Sequence, residues 1–302
     1  MRFPPFNPYV AIVIGVISVS SSAILVKLVG DAPAGVIAFY RLFLAVVIMA
    51  PFVLFKYQNE IKQMSKRNWV LAILSGAFLA FHFIFWFESL NLTSVASSVT
   101  LVAMQPIFAF IGTYFFFGER FSVAAFISLF ITIVGSIIIS WGDFQVSGLA
   151  FFGDLLALLG AAFVTGYFLL GQQLRRNHSL MAYTFVVYGV SSLTLLVYNL
   201  LLNNNLVAYS GYHWTIFLAL AVVPTFLGHT LFNWALKWVS TSTISMAIVF
   251  EPIGASILAY IILHEAVTKH QWLGGMIVIF GLFLFIMSTT RKKHVTLSYK
   301  QE

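Results

Sequence analysis

Residues between Leu90 and Gly135 recur, type for type, at a constant offset of 146 positions. Leu90 pairs with Leu236, Ser94 with Ser240, Pro106 with Pro252, Ile107 with Ile253, Ala109 with Ala255, Tyr114 with Tyr260, Glu119 with Glu265 and Gly135 with Gly281. Apolar matches arise by chance in a chain this hydrophobic, but paired prolines, glutamates and glycines in one register do not. The chain is an internal duplication, with a first unit over 1–145 and a second over 146–302.

The chain is 61% hydrophobic and 8% charged, whereas roughly a quarter of the residues of a soluble domain are charged. A helix needs about 20 apolar residues to cross a hydrocarbon core, so the expected solvent is a bilayer and no sizeable soluble domain fits. Apolar runs read against turn and charge signals give ten helices, in the stretches 8 to 29, 33 to 56, 69 to 90, 94 to 117, 122 to 141, 151 to 173, 180 to 202, 213 to 237, 241 to 263 and 271 to 290. The first run follows Arg2 and shows no small-residue cleavage site, so it reads as a retained helix rather than a signal peptide.

Placing the N-terminus in the cytoplasm puts thirteen Lys and Arg residues on the inner side, Lys269 alone on the outer side, and Lys27 and Arg41 within helices, which completes the sixteen. That bias orients a multi-pass protein with both termini cytoplasmic. It also accounts for the net charge of +7 without a nucleic-acid partner. The absence of cysteine excludes disulfide and thiolate chemistry.

Five helices per unit is an odd number, so the second unit is expected to cross the membrane in the opposite sense. Inverted repeats suit a machine that exposes one central site alternately to the two sides. Each unit has a proline in its fourth helix (Pro106, Pro252), a glutamate at that helix's end (Gly118-Glu119, His264-Glu265) and a glycine in its fifth (Gly135, Gly281). In these features the chain resembles the EamA-type branch of the drug/metabolite transporter superfamily, and the resemblance covers nearly its whole length. It implies ten helices in a bacterial-type plasma membrane and export of small metabolites such as amino acids, often driven by protons. His264 departs from the glycine usual before that glutamate.

Ionisable groups at membrane depth are expensive and need a reason. Glu251 stands immediately before Pro252, whose missing N–H deprives the carbonyl of Ile248 of its helical partner; Gln105 before Pro106 repeats the arrangement without the charge. Burial penalises a charged carboxylate, which makes Glu251 the candidate proton-coupling or amine-binding residue, the alternative being a structurally paired glutamate. His82 and Trp86 are four apart on the third helix, and His229 and Asn233 are four apart on the pseudo-equivalent eighth, so each pair shares a face. His82, Trp86, Gln105, Asn233 and Glu251 are therefore the candidate substrate lining, with His229 a weaker candidate.

Arg41 lies about two turns into its helix. It is a candidate counter-charge for Glu88, Asp154 or a substrate carboxyl group. Lys27 is expected to snorkel, and the Ser20-Ser21-Ser22 run to permit close helix packing. Glu119 and Glu265 are candidate gate residues able to cap the helix that follows each.

An intramembrane enzyme would need a nucleophile and base or a metal cluster, and the sequence has no His-Glu-x-x-His, Gly-x-Ser-x-Gly or phosphate-binding loop. No cofactor or metal is indicated. The expected partners are a small-molecule substrate, the lipid bilayer and protons as coupling ion, and an uncoupled facilitator of the same fold is the alternative.

Overall fold

The computed structural model describes residues 4–140, 148–264 and 269–298, and every regular element among them is a helix. In chain order they are α1 (Pro8–Val19), α2 (Ser22–Val29), α3 (Ala34–Lys56), α4 (Gln58–Lys62), α5 (Lys66–Leu92), α6 (Val95–Val102), α7 (Gln105–Phe117) and α8 (Val123–Ser140). The second unit contains α9 (Gly148–Leu174), α10 (Leu180–Leu201), α11 (Gly211–Leu220), α12 (Leu231–Ala235), α13 (Thr241–Ile248), α14 (Glu251–Leu258) and α15 (Lys269–Ser298). Wide-turned π segments join α11 to α12 (Ala221–Thr230) and extend α14 (Ala259–Leu263). The expected unit boundary at 145/146 lies outside the described residues.

Eight helical stretches are long and apolar enough to cross a membrane. Two further helices, α8 and α15, carry shorter apolar runs, Val123–Ile138 and Trp272–Phe285. Each of the ten stretches expected from the sequence coincides with one of these.

Two of the expected continuous helices, 94 to 117 and 241 to 263, are instead broken, and at repeat-equivalent positions. A proline offers no N–H to the carbonyl four residues back, so the carbonyls of Val102 and Ile248, the last residues of α6 and α13, lose their helical partner. The chain tightens before each proline: Met104 N–H bonds the Leu101 carbonyl and Phe250 N–H the Ala247 carbonyl, both at 3.1 Å and both three residues back. A new helix then starts with the proline in its first turn. Gln105 and Glu251 consequently sit at helix beginnings rather than mid-helix, where the peptide dipoles place partial positive charge.

The first span breaks too, between α1 and α2. There Ser20 Oγ turns back to the Val16 carbonyl at 2.9 Å and Ser21 Oγ to the Ser18 carbonyl at 2.7 Å. The helices pack with α5 against α9, α10 against α3 and α5, and α8 against α15. The last pair explains one of the repeated glycines on each side. A side chain at Gly135 would come within 2.9 Å of the Gly274 carbonyl, and one at Gly281 within 3.0 Å of the Thr132 backbone nitrogen. Only glycine lets these backbones approach so closely.

Candidate functional site

The broken helices meet α3, α5, α9 and the π segment around a cavity of about 20 Å³ in the interior of the membrane-spanning bundle. Arg41 reaches it from α3, His82 and Trp86 from α5, Gln105 and Glu251 from the two half-helix beginnings, and His229 from the π segment. All six are buried. A void of this size holds about one water.

Arg41 is 0% exposed. Its Nε donates to Thr225 Oγ1 at 2.8 Å and its Nη1 to Ser22 Oγ at 2.7 Å, while its guanidinium carbon lies 4.3 Å from the centre of the Phe83 ring. Local chemistry supplies the Thr225 acceptor. Pro224 cannot bond the Leu220 carbonyl in helical fashion, and the Thr225 hydroxyl donates to that carbonyl instead, at 2.9 Å. Its lone pairs then face Arg41. Nη2 of Arg41 has no hydrogen-bond partner, and no carboxylate among the described residues lies within ion-pair reach of the guanidinium. The counter-charges expected from the sequence, Glu88 and Asp154, do not pair with it; Glu88 accepts from Asn91 Nδ2 at 3.4 Å.

His82 Nδ1 lies 2.9 Å from the Gly160 carbonyl. A carbonyl only accepts, so Nδ1 carries the proton, and in the neutral ring Nε2 is left as an acceptor. The ring stacks on Trp86, centroids 5.5 Å apart. Trp86 Nε1, Gln105 Oε1 and His229 Nδ1 are buried without hydrogen-bond partners. Most buried polar atoms in proteins are satisfied, so unpaired donors and acceptors converging on one small cavity mark a place where a ligand or water completes the set.

Asn233 is not part of this lining. Its amide Nδ2 donates to the His229 carbonyl at 2.8 Å and to the Tyr167 hydroxyl, and its backbone carbonyl accepts from Arg175 Nε at 3.0 Å. The four-residue step from His229 puts two side chains on one face only in an α-helix, and His229 lies in a segment with five-residue hydrogen bonding. Widened turns rotate Asn233 away from the cavity.

Glu119 also lies away from it. Its two carboxylate oxygens accept from Ser240 Oγ at 3.0 Å and Ser242 Oγ at 2.9 Å. The carboxylate thus rests on the beginning of α13 in the other unit rather than on α8, the helix that follows it. Beside this contact, Gln172 Oε1 accepts from the Thr241 N–H at 2.6 Å. Glu265 lies outside the described residues. Lys27, expected to snorkel, donates to the Leu90 carbonyl at the end of α5.

Ser22 and Thr225 were not singled out as site residues by the sequence. The signal for Thr225 was its position after Pro224 inside an apolar span; Ser22 was hidden in a serine run that reads as packing.

A model described as the EamA-like transporter family matches the chain over residues 7–141 and again over 151–287. The chain is similar to an "uncharacterized transporter YxxF" of Bacillus subtilis, at 25% identity over 88% of this chain and 85% of that one. It is similar to an "uncharacterized transporter" of Archaeoglobus fulgidus at 24% identity, over 91% and 94% of the two chains. The "pseudopaline exporter CntI" of Pseudomonas aeruginosa is 24% identical over 61% of this chain and 63% of its own. A solved structure described only as "Crystal structure of protein" superposes with a TM-score of 0.74 at 16% identity, covering 93% of this chain and 98% of that one; at that identity the likeness shows the fold.

Proposed function

The chain belongs to the EamA-like transporter family, and on that premise we propose that it exports small metabolites, amino acids or related compounds, across the cell membrane by proton-coupled alternating access. In this reading ten helices cross the membrane as two inverted five-helix repeats, with both termini cytoplasmic. The observation that carries it is the cavity itself, where the paired half-helix beginnings bring Gln105 and Glu251 to face Arg41, His82 and Trp86. Discontinuous helices meeting near mid-membrane are how inverted-repeat transporters build a substrate site. Export is favoured by the likeness to a protein named as an exporter.

Glu251 carries the proton in this scheme: its carboxylate binds the substrate's cationic group on one half-cycle and a proton on the other. Small-molecule sites occupy roughly 300–1,000 Å³, far more than the cavity of about 20 Å³, so loading requires helices to part. Glu119, holding the start of α13, is positioned as a gate residue on one side, and Glu265 is its repeat counterpart. Asn233 supports the site through the His229 carbonyl.

The presence of the buried Arg41 charge in the same cavity favours a second reading, in which Glu251 balances that charge and the protein is an uncoupled facilitator. Internal pH recorded with a trapped dye in proteoliposomes separates the two, as pooled amino acids and then pooled nucleobases are added outside to wild type and Glu251→Gln. Proton coupling predicts a substrate-dependent pH change in wild type alone. Labelled-solute counterflow with no pH change under any pool leaves the facilitator.

A further inference from the structure

We propose that Arg41 and Trp86 form a carboxylate subsite in the central cavity, so that the transported metabolite is recognised by an acid group that a primary amide cannot replace. The proposal rests on reading this cavity as the transport site.

Arg41 is a wholly buried cation whose hydrogen-bond partners are two neutral hydroxyls, Ser22 and Thr225. Buried charges are normally paired, because desolvation is large and neutral partners offset only part of it. The guanidinium is also held in place: two of its nitrogens are tied, and the Phe83 ring lies against it at 4.3 Å. Only Nη2 is left without a partner. A planar fork fixed on two sides with one donor spare is preorganised for a planar oxyanion.

Trp86 supplies the second donor. A buried indole N–H usually finds an acceptor, yet Trp86 Nε1 has none, and it lines the same cavity of about 20 Å³ as Arg41. The unpaired Gln105 Oε1 and the Glu251 carboxyl come from the opposing half-helix beginnings. The cavity therefore gathers unpartnered donors from α3 and α5 and acceptors from the beginnings of α7 and α14, with the His82 and His229 rings also in its lining. A carboxylate fits the donors and an ammonium or hydroxyl the acceptors.

The test measures thermal stabilisation of the purified full chain by two pools at equal concentration: L-amino acids with short carboxylic acids, and the corresponding primary amides. The acid pool is expected to stabilise wild type and the amide pool to leave it unchanged. Trp86→Phe should weaken binding of the acid pool about threefold to tenfold, the worth of one neutral hydrogen bond. Arg41→Lys, which keeps the charge and loses the fork, should weaken it about tenfold to a hundredfold.

Equal stabilisation by both pools, or by neither, overturns the subsite, as do unchanged affinities in both variants. Trp86→Phe leaves the Ser22 and Thr225 bonds intact, so it decides the matter if Arg41 variants do not fold. Because the readout is binding, a protein that prefers acids yet moves no protons sinks only the coupling scheme. One that couples protons and accepts amides sinks only the subsite.

Discussion

Gln105 and Glu251 open the two half-helices that follow the breaks, 146 positions apart, and differ in essence by one ionisable group. The repeat thus places an amide where its twin places an acid. Glu251→Gln makes the two positions alike, and it is expected to reduce substrate-driven pH change to background while counterflow of the same labelled solute persists at weakened apparent affinity. The pair of assays on one preparation checks this.

Thr225 Oγ1 bridges two buried groups, donating to the Leu220 carbonyl and accepting from Arg41 Nε. Thr225→Val keeps the shape and removes both bonds, and it should destabilise the fold by about 2–3 kcal/mol, the scale for losing a hydrogen bond to a buried charged group. Thr225→Ser should retain most of the stability. Melting of the two variants in one detergent gives the comparison.

Glu119 tethers the end of α7 to Ser240 and Ser242 at the start of α13. The native chain has no cysteine, so Thr241→Cys, at a fully buried position within the contact, is a clean reporter of opening. Glu119→Ala should increase its rate of modification by a water-soluble maleimide about tenfold, corresponding to about 1.4 kcal/mol of lost closure. An unchanged rate would assign Glu119 to folding alone.

Gly118 and His264, also 146 apart, both end a half-helix in the left-handed conformation, at φ 66° and 57°. That region costs an L-residue about 1–2 kcal/mol, more than the roughly 0.4–1 kcal/mol that glycine's unfolded-state freedom costs. His264→Gly should therefore raise the melting temperature slightly, whereas Gly118→Ala should lower it.

Asp31, in the connection between α2 and α3, accepts from His213 Nε2 at 2.7 Å, and that bond holds its carboxyl below the ordinary carboxylate range. A lowered pKa adds stability above the unfolded-state value, near 3.9, and the contribution disappears as pH falls through the folded value. Asp31→Asn should therefore melt below wild type at neutral pH and converge with it as acidification passes below the ordinary carboxylate range. Parallel melts across that range show the convergence or its absence.

The two prolines made the loss of one helical hydrogen bond in each unit legible in the sequence, because a missing N–H acts locally, while both spans still read as single helices. What they did not announce was the tight turn before each, where Phe250 bonds back to Ala247 and severs the helix. His82, Trp86, Gln105 and Glu251 come together from elements whose phase the sequence sets, and His229 joins them from within the π segment. Asn233 does not join them, because its phase depends on a π segment that no apolar period reveals. The partners of Arg41 and Glu119 escaped for another reason: Thr225 and Ser240 are 184 and 121 residues away along the chain, and only tertiary packing selects them.

The Arg41 guanidinium, held by hydroxyls and a ring with no carboxylate among the described residues in contact, also makes the cavity an electrical element. Its charge is balanced when Glu251 is ionised or when an anion occupies the site, and is unbalanced when the site is empty and Glu251 is neutral. Each elementary charge carried through the membrane potential is worth about 2.3 kcal/mol per 100 mV. In the proposed coupled cycle, voltage would therefore act on the return of the empty, proton-loaded carrier and would leave a carrier filled with a zwitterion almost untouched.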